Sequence, residues 1–235
     1  MPSFRYEAEM ARAVASWMRR SGLTARPEFR TASGIADMVG CRWIAGAVRS
    51  RLAARQRRPL GPLLRVAIFE AIPPRRRVSL ASLVARFEAV CGPEALRAEV
   101  AQLVRDRFVT VVPGQRVTRV APWSRMSDRV VAVELKLSRL SEAIRQARQY
   151  LVFADDVYVA LPKRAALDAV RHRRDQLAGT GVGILAVGRR AAQVVLRPSR
   201  VRRAHAVDPA ARQHAVERLW RFALESAEHQ LPRNG

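Results

Sequence analysis

The stretch of residues 129–162 constrains the fold of this chain more than any other part of the sequence. It begins with the β-branched apolar run 130–133, typical of a buried strand, and ends with a second apolar run, 157–161, which Pro162 terminates. A segment with helical periodicity separates the two runs. A strand, a helix and a strand in this order predict two strands joined by a right-handed crossover, the unit of a parallel or mixed α/β sheet.

Two charged residues stand at the end of the first of these strands. Glu134 and Lys136 alternate with Val133 and Leu135, so the carboxylate and the ammonium are expected on one face. Burying such a pair is unfavourable unless it has a partner or a chemical role. Of the 43 Lys and Arg residues only two are lysines, Lys136 and Lys163, which indicates that a compact, titratable charge is required at position 136. A partly exposed ion pair at a strand end is an equally good interpretation of this motif alone.

The size and charge of the chain restrict its class and its partners. Its 235 residues, 49% of them hydrophobic, suffice for one sizeable core or for a core and a small module. No apolar run is long enough to span a membrane, and the N-terminus lacks the apolar stretch of a signal peptide. Cys41 and Cys91 match neither a metal-site spacing nor a disulfide framework, which favours a reducing cytoplasm. The net charge of +23 makes a polyanion the expected partner, with nucleic acid ahead of a membrane surface.

The N-terminal segments predict a helix followed by two strands. Residues 4–20 carry apolar side chains at helical spacing and predict a helix. Residues 23–29 predict a strand, and residues 31–40 predict a turn followed by a short strand. Asp37 stands between apolar neighbours in that second strand, an unusual place for an acid. It is either a polar residue on the turn side or a ligand.

The middle of the chain, residues 45–125, predicts a separate module led by a basic helix. Three predicted helices, over 63–71, 80–90 and 92–108, precede two alternating runs around residues 113–115, which is a hairpin signature. Three helices followed by a hairpin resemble a winged helix, whose third helix lies in the DNA major groove while the hairpin wing touches the backbone. The arginines that this resemblance places against DNA are Arg97, Arg105, Arg107, Arg116 and Arg119. Winged helices also serve as protein-docking modules, and this alternative stays open.

The elements outside this module are ordered as helix, strand, strand with Asp37, strand with Glu134-x-Lys136, helix and strand. This order resembles the PD-(D/E)xK nuclease superfamily. The motifs that carry the resemblance are Gly34-x-x-Asp37, Glu134-x-Lys136 and Gln146-x-x-x-Tyr150. The last is similar to a motif in the nuclease domains of recombination helicases. No proline precedes Asp37, and the long separation between Asp37 and Glu134 fits an insertion. The implied fold is a restriction-endonuclease-like α/β mixed-sheet core flanked by helices, with an inserted winged-helix domain.

The resemblance also implies the chemistry of the site. Its catalytic residues would be Asp37, Glu134, Lys136, Gln146 and Tyr150, with Glu9 or Glu7 as the glutamate of the first helix. Asp37 and Glu134 would bind Mg²⁺ or Mn²⁺, because converging carboxylates repel each other without a cation and oxygen ligands suit Mg²⁺. Lys136 would orient the water or stabilise the transition state, either through a pKa lowered by burial or through a charge held near the phosphate. Gln146 and Tyr150 would support the site or touch the DNA backbone.

The function expected from the sequence is DNA binding with metal-dependent phosphodiester hydrolysis, by an endonuclease or a structure-specific nuclease. The alternative is a non-catalytic transcriptional regulator or structural protein that uses the nuclease fold as a platform for DNA. The expected partner is double-stranded or branched DNA, and a homodimer stays open. The expected domains are a nuclease-like core in residues 1–44 and 126–200, the insert in 45–125, and a C-terminal helix with a tail in 201–235.

Overall fold

Nine strands and nine α-helices are found in the part of the chain that the computed structural model describes, which is residues 4–31, 34–120, 125–199 and 207–230. The strands are β1 Thr24–Thr31, β2 Gly34–Trp43, β3 Val78–Ser79, β4 Val109–Val112, β5 Arg116–Arg119, β6 Ser127–Leu135, β7 Asp156–Pro162, β8 Val182–Val187 and β9 Ala192–Leu196. The helices are α1 Ala8–Arg20, α2 Ala45–Ala53, α3 Leu63–Glu70, α4 Leu80–Phe87, α5 Pro93–Arg105, α6 Leu140–Gln149, α7 Lys163–His172, α8 Arg174–Leu177 and α9 Pro209–Gln230. No helix in these ranges is long and apolar enough to cross a membrane.

The chain divides into two compact units. Unit 1 contains Met1–Trp43 and Ser127–Asp208, and unit 2 contains Ile44–Met126 and Pro209–Gly235. The division expected from the sequence set residues 201–235 apart as a C-terminal segment, whereas α9 belongs to unit 2. The reason is a buried ion pair between Arg51 of α2 and Glu217 of α9, at 2.6 Å.

Unit 1 is built on a six-stranded mixed sheet with the order β1-β2-β6-β7-β8-β9. The three strands β6, β7 and β8 are parallel and are joined by α6 and α7, while the outer pairs are antiparallel. This confirms the predicted mixed sheet flanked by helices. The apolar run 130–133 and the second run in β7 are buried, as expected for central parallel strands.

The two faces of this sheet have different roles. Helix α1 buries Met10, Val14 and Met18 against side chains of one face, among them Val133 and Leu135 of β6. Because side chains alternate along a strand, Glu134 belongs to the opposite face, where Tyr150 at the end of α6 bonds to it. The polar residues of β6 are therefore kept off the α1 core.

Unit 2 combines α3, α4 and α5 with a small antiparallel sheet of order β3-β5-β4. Its core is apolar and includes Phe69, Leu83, Leu103, Phe108 and Val117. Pro93 occupies the first turn of α5, where its fixed backbone angle is favourable, and Gly114 adopts the positive φ of 77° that the turn between β4 and β5 requires.

Candidate active site

Asp37 lies where the ladder between β2 and β6 ends. The last paired residues are Met38 and Val133, and beyond them the backbone N–H of Leu135 donates to Oδ2 of Asp37 at 2.7 Å. A side-chain carboxylate therefore takes a hydrogen bond from β6 at the point where backbone pairing stops. This contact spans 98 residues of sequence and brings Asp37 beside the Glu134-x-Lys136 motif.

Each carboxylate oxygen of Glu134 is contacted by a different side chain. Glu134 is only 4% exposed. Its Oε2 accepts a hydrogen bond of 2.6 Å from the Tyr150 hydroxyl, and its Oε1 lies 3.2 Å from Nζ of Lys136. The same hydroxyl lies 3.1 Å from the carbonyl oxygen of Ile35. Tyr150 thus ties the end of α6 to both β2 and β6.

Of the two glutamates near the start of α1, Glu7 reaches the site. Its Oε2 lies 3.6 Å from Nζ of Lys136, and its Oε1 accepts a hydrogen bond of 3.4 Å from the backbone N–H of Leu137. Glu9 instead accepts a hydrogen bond from the backbone N–H of Arg5 at the surface. Successive helical residues are rotated by about 100°, so two positions along the helix suffice to turn Glu9 away. The assignment of Glu9 to the catalytic set is wrong.

Two carboxyl groups of this site, those of Asp37 and Glu134, have pKa values shifted in the same direction. Burial raises the pKa of Asp37, although the hydrogen bond from Leu135 opposes the shift. Burial also raises the pKa of Glu134, and the negative charge of Asp37 raises it further, against the hydrogen bond from Tyr150. Two carboxylates whose charged forms are disfavoured in a partly desolvated place favour the approach of a cation.

The pKa of Lys136 shifts in the direction opposite to one of the two expectations for this residue. Burial acts to lower its pKa, but the hydrogen bond to Glu134 and the charges of Glu134, Glu7 and Asp37 outweigh burial, so that its pKa is raised. The expectation of a lowered lysine pKa is therefore wrong for this arrangement. The side chain stays cationic, which leaves the role of a fixed positive charge.

Gln146 precedes Tyr150 by one turn of α6, as the motif spacing predicts. Its Oε1 is buried and has no hydrogen-bond partner in the described part of the structure. Buried polar atoms are rarely left without a partner, so this oxygen marks a place for a donor from a ligand or a water.

Two groups of the site carry no signal in the sequence. The N–H of Leu135 and the carbonyl oxygen of Ile35 hold Asp37 and Tyr150 through the backbone. Every residue type offers these groups, so only the position of the chain in space makes them part of the site.

The arginines predicted to meet DNA divide into two sets in unit 2. Exposed side chains are found for Arg97, Arg105, Arg107 and Arg116. The side chain of Arg119 is only 6% exposed, donates to the carbonyl oxygens of Ile72 and Phe69, and stacks 4.1 Å above the Phe69 ring. Arg119 is therefore a packing residue and not a phosphate contact, because its donors are already used by backbone carbonyls.

Comparison with known proteins adds little. No protein-family model matches the chain, and no curated protein matches it. Among solved structures, the SPO1766 protein of unknown function from Silicibacter pomeroyi is similar over 100% of both chains, with 13% sequence identity and a TM-score of 0.42. A likeness this distant carries no argument about fold or function.

Proposed function

We propose that the protein is a metal-dependent nuclease that acts on DNA, with a restriction-endonuclease-like active site in unit 1. The observation that supports this proposal is the convergence of Asp37, Glu134, Lys136 and Glu7 at one end of the sheet, from β2, β6 and the start of α1. Two acids and a lysine held together in this way can bind a cation and stabilise developing charge, which are roles that promote phosphodiester hydrolysis.

The two carboxylates fit a divalent cation. Each is destabilised by burial, and Asp37 raises the pKa of Glu134, so a cation between them would relieve both effects. The described residues contain no group of three or more His, Cys, Asp or Glu side chains that could hold a metal. Two carboxylates would leave the remaining positions to water and phosphate oxygens, as Mg²⁺ commonly prefers. When bound, Mg²⁺ or Mn²⁺ would polarise the scissile phosphate and promote hydroxide formation.

The protein groups around Asp37 and Glu134 would orient the two carboxylates and stabilise the charge that develops on the phosphate. Tyr150 holds Glu134 through its hydroxyl, and the N–H of Leu135 holds Asp37. Lys136 would place its positive charge beside the negative charge that develops on the phosphate, and Glu7 would restrain the ammonium from the other side. The unpartnered Oε1 of Gln146 would accept a hydrogen bond in the complex.

Unit 2 is proposed as a winged-helix module that binds DNA. Three helices and three short strands follow one another in the order α3-β3-α4-α5-β4-β5, with the β4–β5 hairpin in the place of the wing. Arg97 and Arg105 are exposed on α5, and Arg116 is exposed at the start of β5. Together with the net charge of +23, these side chains favour a nucleic-acid partner.

The test of this function is cleavage of plasmid, linear and branched DNA with and without Mg²⁺ or Mn²⁺. D37N, E134Q and K136M should each lower the cleavage rate by at least about 100-fold, because each removes a charge at the reacting phosphate. K163M is the matched control, since Lys163 is the other lysine of the chain and is exposed. D175N, which alters an exposed acid of unit 1, controls for the loss of a carboxylate.

Wild-type rates in all three site variants would show that the site is assigned wrongly. A wild-type protein that binds DNA but cuts none of the three substrates with either metal would instead support the non-catalytic DNA-binding alternative.

A further inference from the structure

A cavity of about 590 Å³ lies in unit 1, and none of the proposed catalytic residues lines it. It is bounded by residues 138–140, which follow β6, by Leu161 at the end of β7, and by one face of α7 with Arg173 just beyond that helix. We call it the strand-end cavity. Its polar residues did not form a motif in the sequence, because they come from two separate segments, 138–139 and 168–173.

The register of the sheet places the strand-end cavity next to Lys136. Leu135 pairs with Ala160 in the parallel ladder, and the backbone N–H of Lys136 donates to the carbonyl oxygen of Ala160 at 3.0 Å. Lys136 and Leu161 are the next residues on these two strands, and neighbouring strands lie about 4.8 Å apart. Ala160 belongs to the α1 core, so alternation puts Leu161 on the opposite face, with Glu134 and Lys136.

The walls of the strand-end cavity combine cationic, hydrogen-bonding and apolar groups. Arg139, Arg173 and His172 are suited to a phosphate, and the Ser138 hydroxyl adds a further donor. Arg139 already pairs with Glu142 at 3.1 Å, so Arg173 is the cation on which an anion would depend most. Asp168 lines the same face of α7 one turn before His172 and offers an acceptor to a base amino group or a sugar hydroxyl.

Apolar side chains complete the strand-end cavity. Leu140, Leu161, Ala165 and Ala169 supply a surface against which a base and a sugar can pack. The volume is in the range of sites that hold one small molecule. This size matches one nucleotide, and a nucleotide of a duplex would have to leave the base stack to enter it.

We propose that the strand-end cavity binds one unpaired nucleotide of the substrate strand, beside the phosphate that is cut. This inference rests on the proposed nuclease function, since it names the substrate class of the same site: a strand with an unpaired nucleotide, at an end or in a gap. Cleavage of fully paired DNA would then require local unpairing.

Binding of thymidine 5′-monophosphate to the full-length protein, measured by calorimetry without divalent metal, tests the site directly. R173Q should weaken binding at least about tenfold, equivalent to about 1.4 kcal/mol, because it removes a charge-assisted hydrogen bond to the phosphate. A165L should weaken binding similarly by filling the cavity without changing charge. R171Q is the matched control, since Arg171 is an exposed arginine of α7 that does not line the cavity. Thymidine without the phosphate should bind at least about tenfold more weakly.

Three results would overturn the inference: no saturable binding of the nucleotide, wild-type affinity in both R173Q and A165L, or an equal loss in R171Q. These results are distinguishable from failure of the nuclease proposal, because the binding assay needs neither metal nor cleavage. A protein that binds the nucleotide with the expected pattern but cuts no DNA keeps the nucleotide site and loses the nuclease function. A protein that cuts DNA but fails the binding assay keeps the nuclease function and loses the substrate inference.

Discussion

Asp37 and Glu134 are carboxylates held in places where their charge is unfavourable. Burial raises the pKa of both, and the negative charge of Asp37 raises the pKa of Glu134 further. Such groups lower the stability of the metal-free protein above the range in which they titrate, because the folded chain must hold a charge that water would solvate better. Sites that bind cations commonly carry this kind of strain, which the ligand relieves.

Replacement of Asp37 by Asn should therefore stabilise the metal-free protein at pH 8. Asn keeps an oxygen that can accept the N–H of Leu135 and removes the charge. A raised folded-state pKa favours the folded state below the ordinary value of 3.8 and loses that advantage as the pH rises through the shifted value. The stability that D37N gains over the wild type should accordingly vanish at about pH 3.5. Thermal unfolding at both pH values measures this difference in stability. Each kcal/mol corresponds to a shift of roughly 2–4 °C in the unfolding midpoint.

The control for this comparison is D175N, because Asp175 is an exposed acid of the same unit. An unfolding midpoint of D37N at or below that of the wild type at pH 8 would mean that the Asp37 charge does not oppose folding. Added Mg²⁺ should stabilise the wild type more than D37N, since the variant lacks one proposed ligand.

At the scale of secondary-structure elements, one buried arginine organises part of unit 2. Arg51 of α2 makes two contacts with Glu217 of α9, at 2.6 and 2.7 Å, and the two side chains are 3% and 1% exposed. The same guanidinium donates to the carbonyl oxygens of Gln56 and Arg58, and the N–H of Leu60 donates to Glu217. The pair therefore holds α2, the segment after it and α9 together.

Removal of this guanidinium should be strongly destabilising. R51M should lower the free energy of unfolding by about 3–5 kcal/mol, because Glu217 would stay buried without its cation. R42M is the matched control: Arg42 pairs with Asp128 at 2.8 Å, but both side chains are nearly half exposed, and such pairs contribute about 0–1 kcal/mol. Chemical denaturation followed by circular dichroism gives both values.

A loss of unfolding free energy in R51M no larger than that in R42M would show that the buried pair is not a main stabilising contact of unit 2. The double variant R51M/E217L should lose less than the sum of its two single variants, because no uncompensated charge remains in it.

At the scale of the whole molecule, the net charge of +23 should govern the affinity of the protein for the proposed DNA partner. Each arginine that neutralises a phosphate releases counterions, so affinity for DNA should fall linearly with salt on a log–log plot. The buried arginines Arg51 and Arg119 count toward the net charge but cannot release counterions through a phosphate contact, because their guanidinium groups face the protein interior.

Arg116 and Arg119 make a matched pair for testing this distinction on the β4–β5 hairpin. R116A should reduce the salt slope by roughly one, because an exposed arginine on the proposed wing is lost. R119A should leave the slope unchanged and lower the unfolding midpoint, because it empties a packed site on Phe69. Titrations of one DNA duplex at several salt concentrations measure the slope. An unchanged slope in R116A would remove the hairpin from the DNA-binding surface.

The parts of this protein that could be predicted from sequence rest on local signals. Apolar alternation and helical spacing located β6, α6 and β7, and the same patterns located the helices and hairpin of unit 2. These signals are reliable because each reflects the geometry of a single strand or helix. The shared strand face of Glu134 and Lys136 and the one-turn spacing of Gln146 and Tyr150 on the helix follow from the same geometry, so both were predictable.

Tertiary structure decided everything that depends on contacts between distant segments. The approach of Asp37 to β6, the choice of Glu7 over Glu9 and the burial of Arg119 all arise from neighbours far away in the sequence. The raised pKa of Lys136 comes from the nearby Glu134 together with the distant Glu7 and Asp37. A residue's type states which bonds it can make, but its partners and its exposure to water determine which bonds form and what charge it carries. Local patterns therefore determined the elements and their polar faces, and only the folded chain determined the site, because burial and electrostatics are properties of the assembled surroundings.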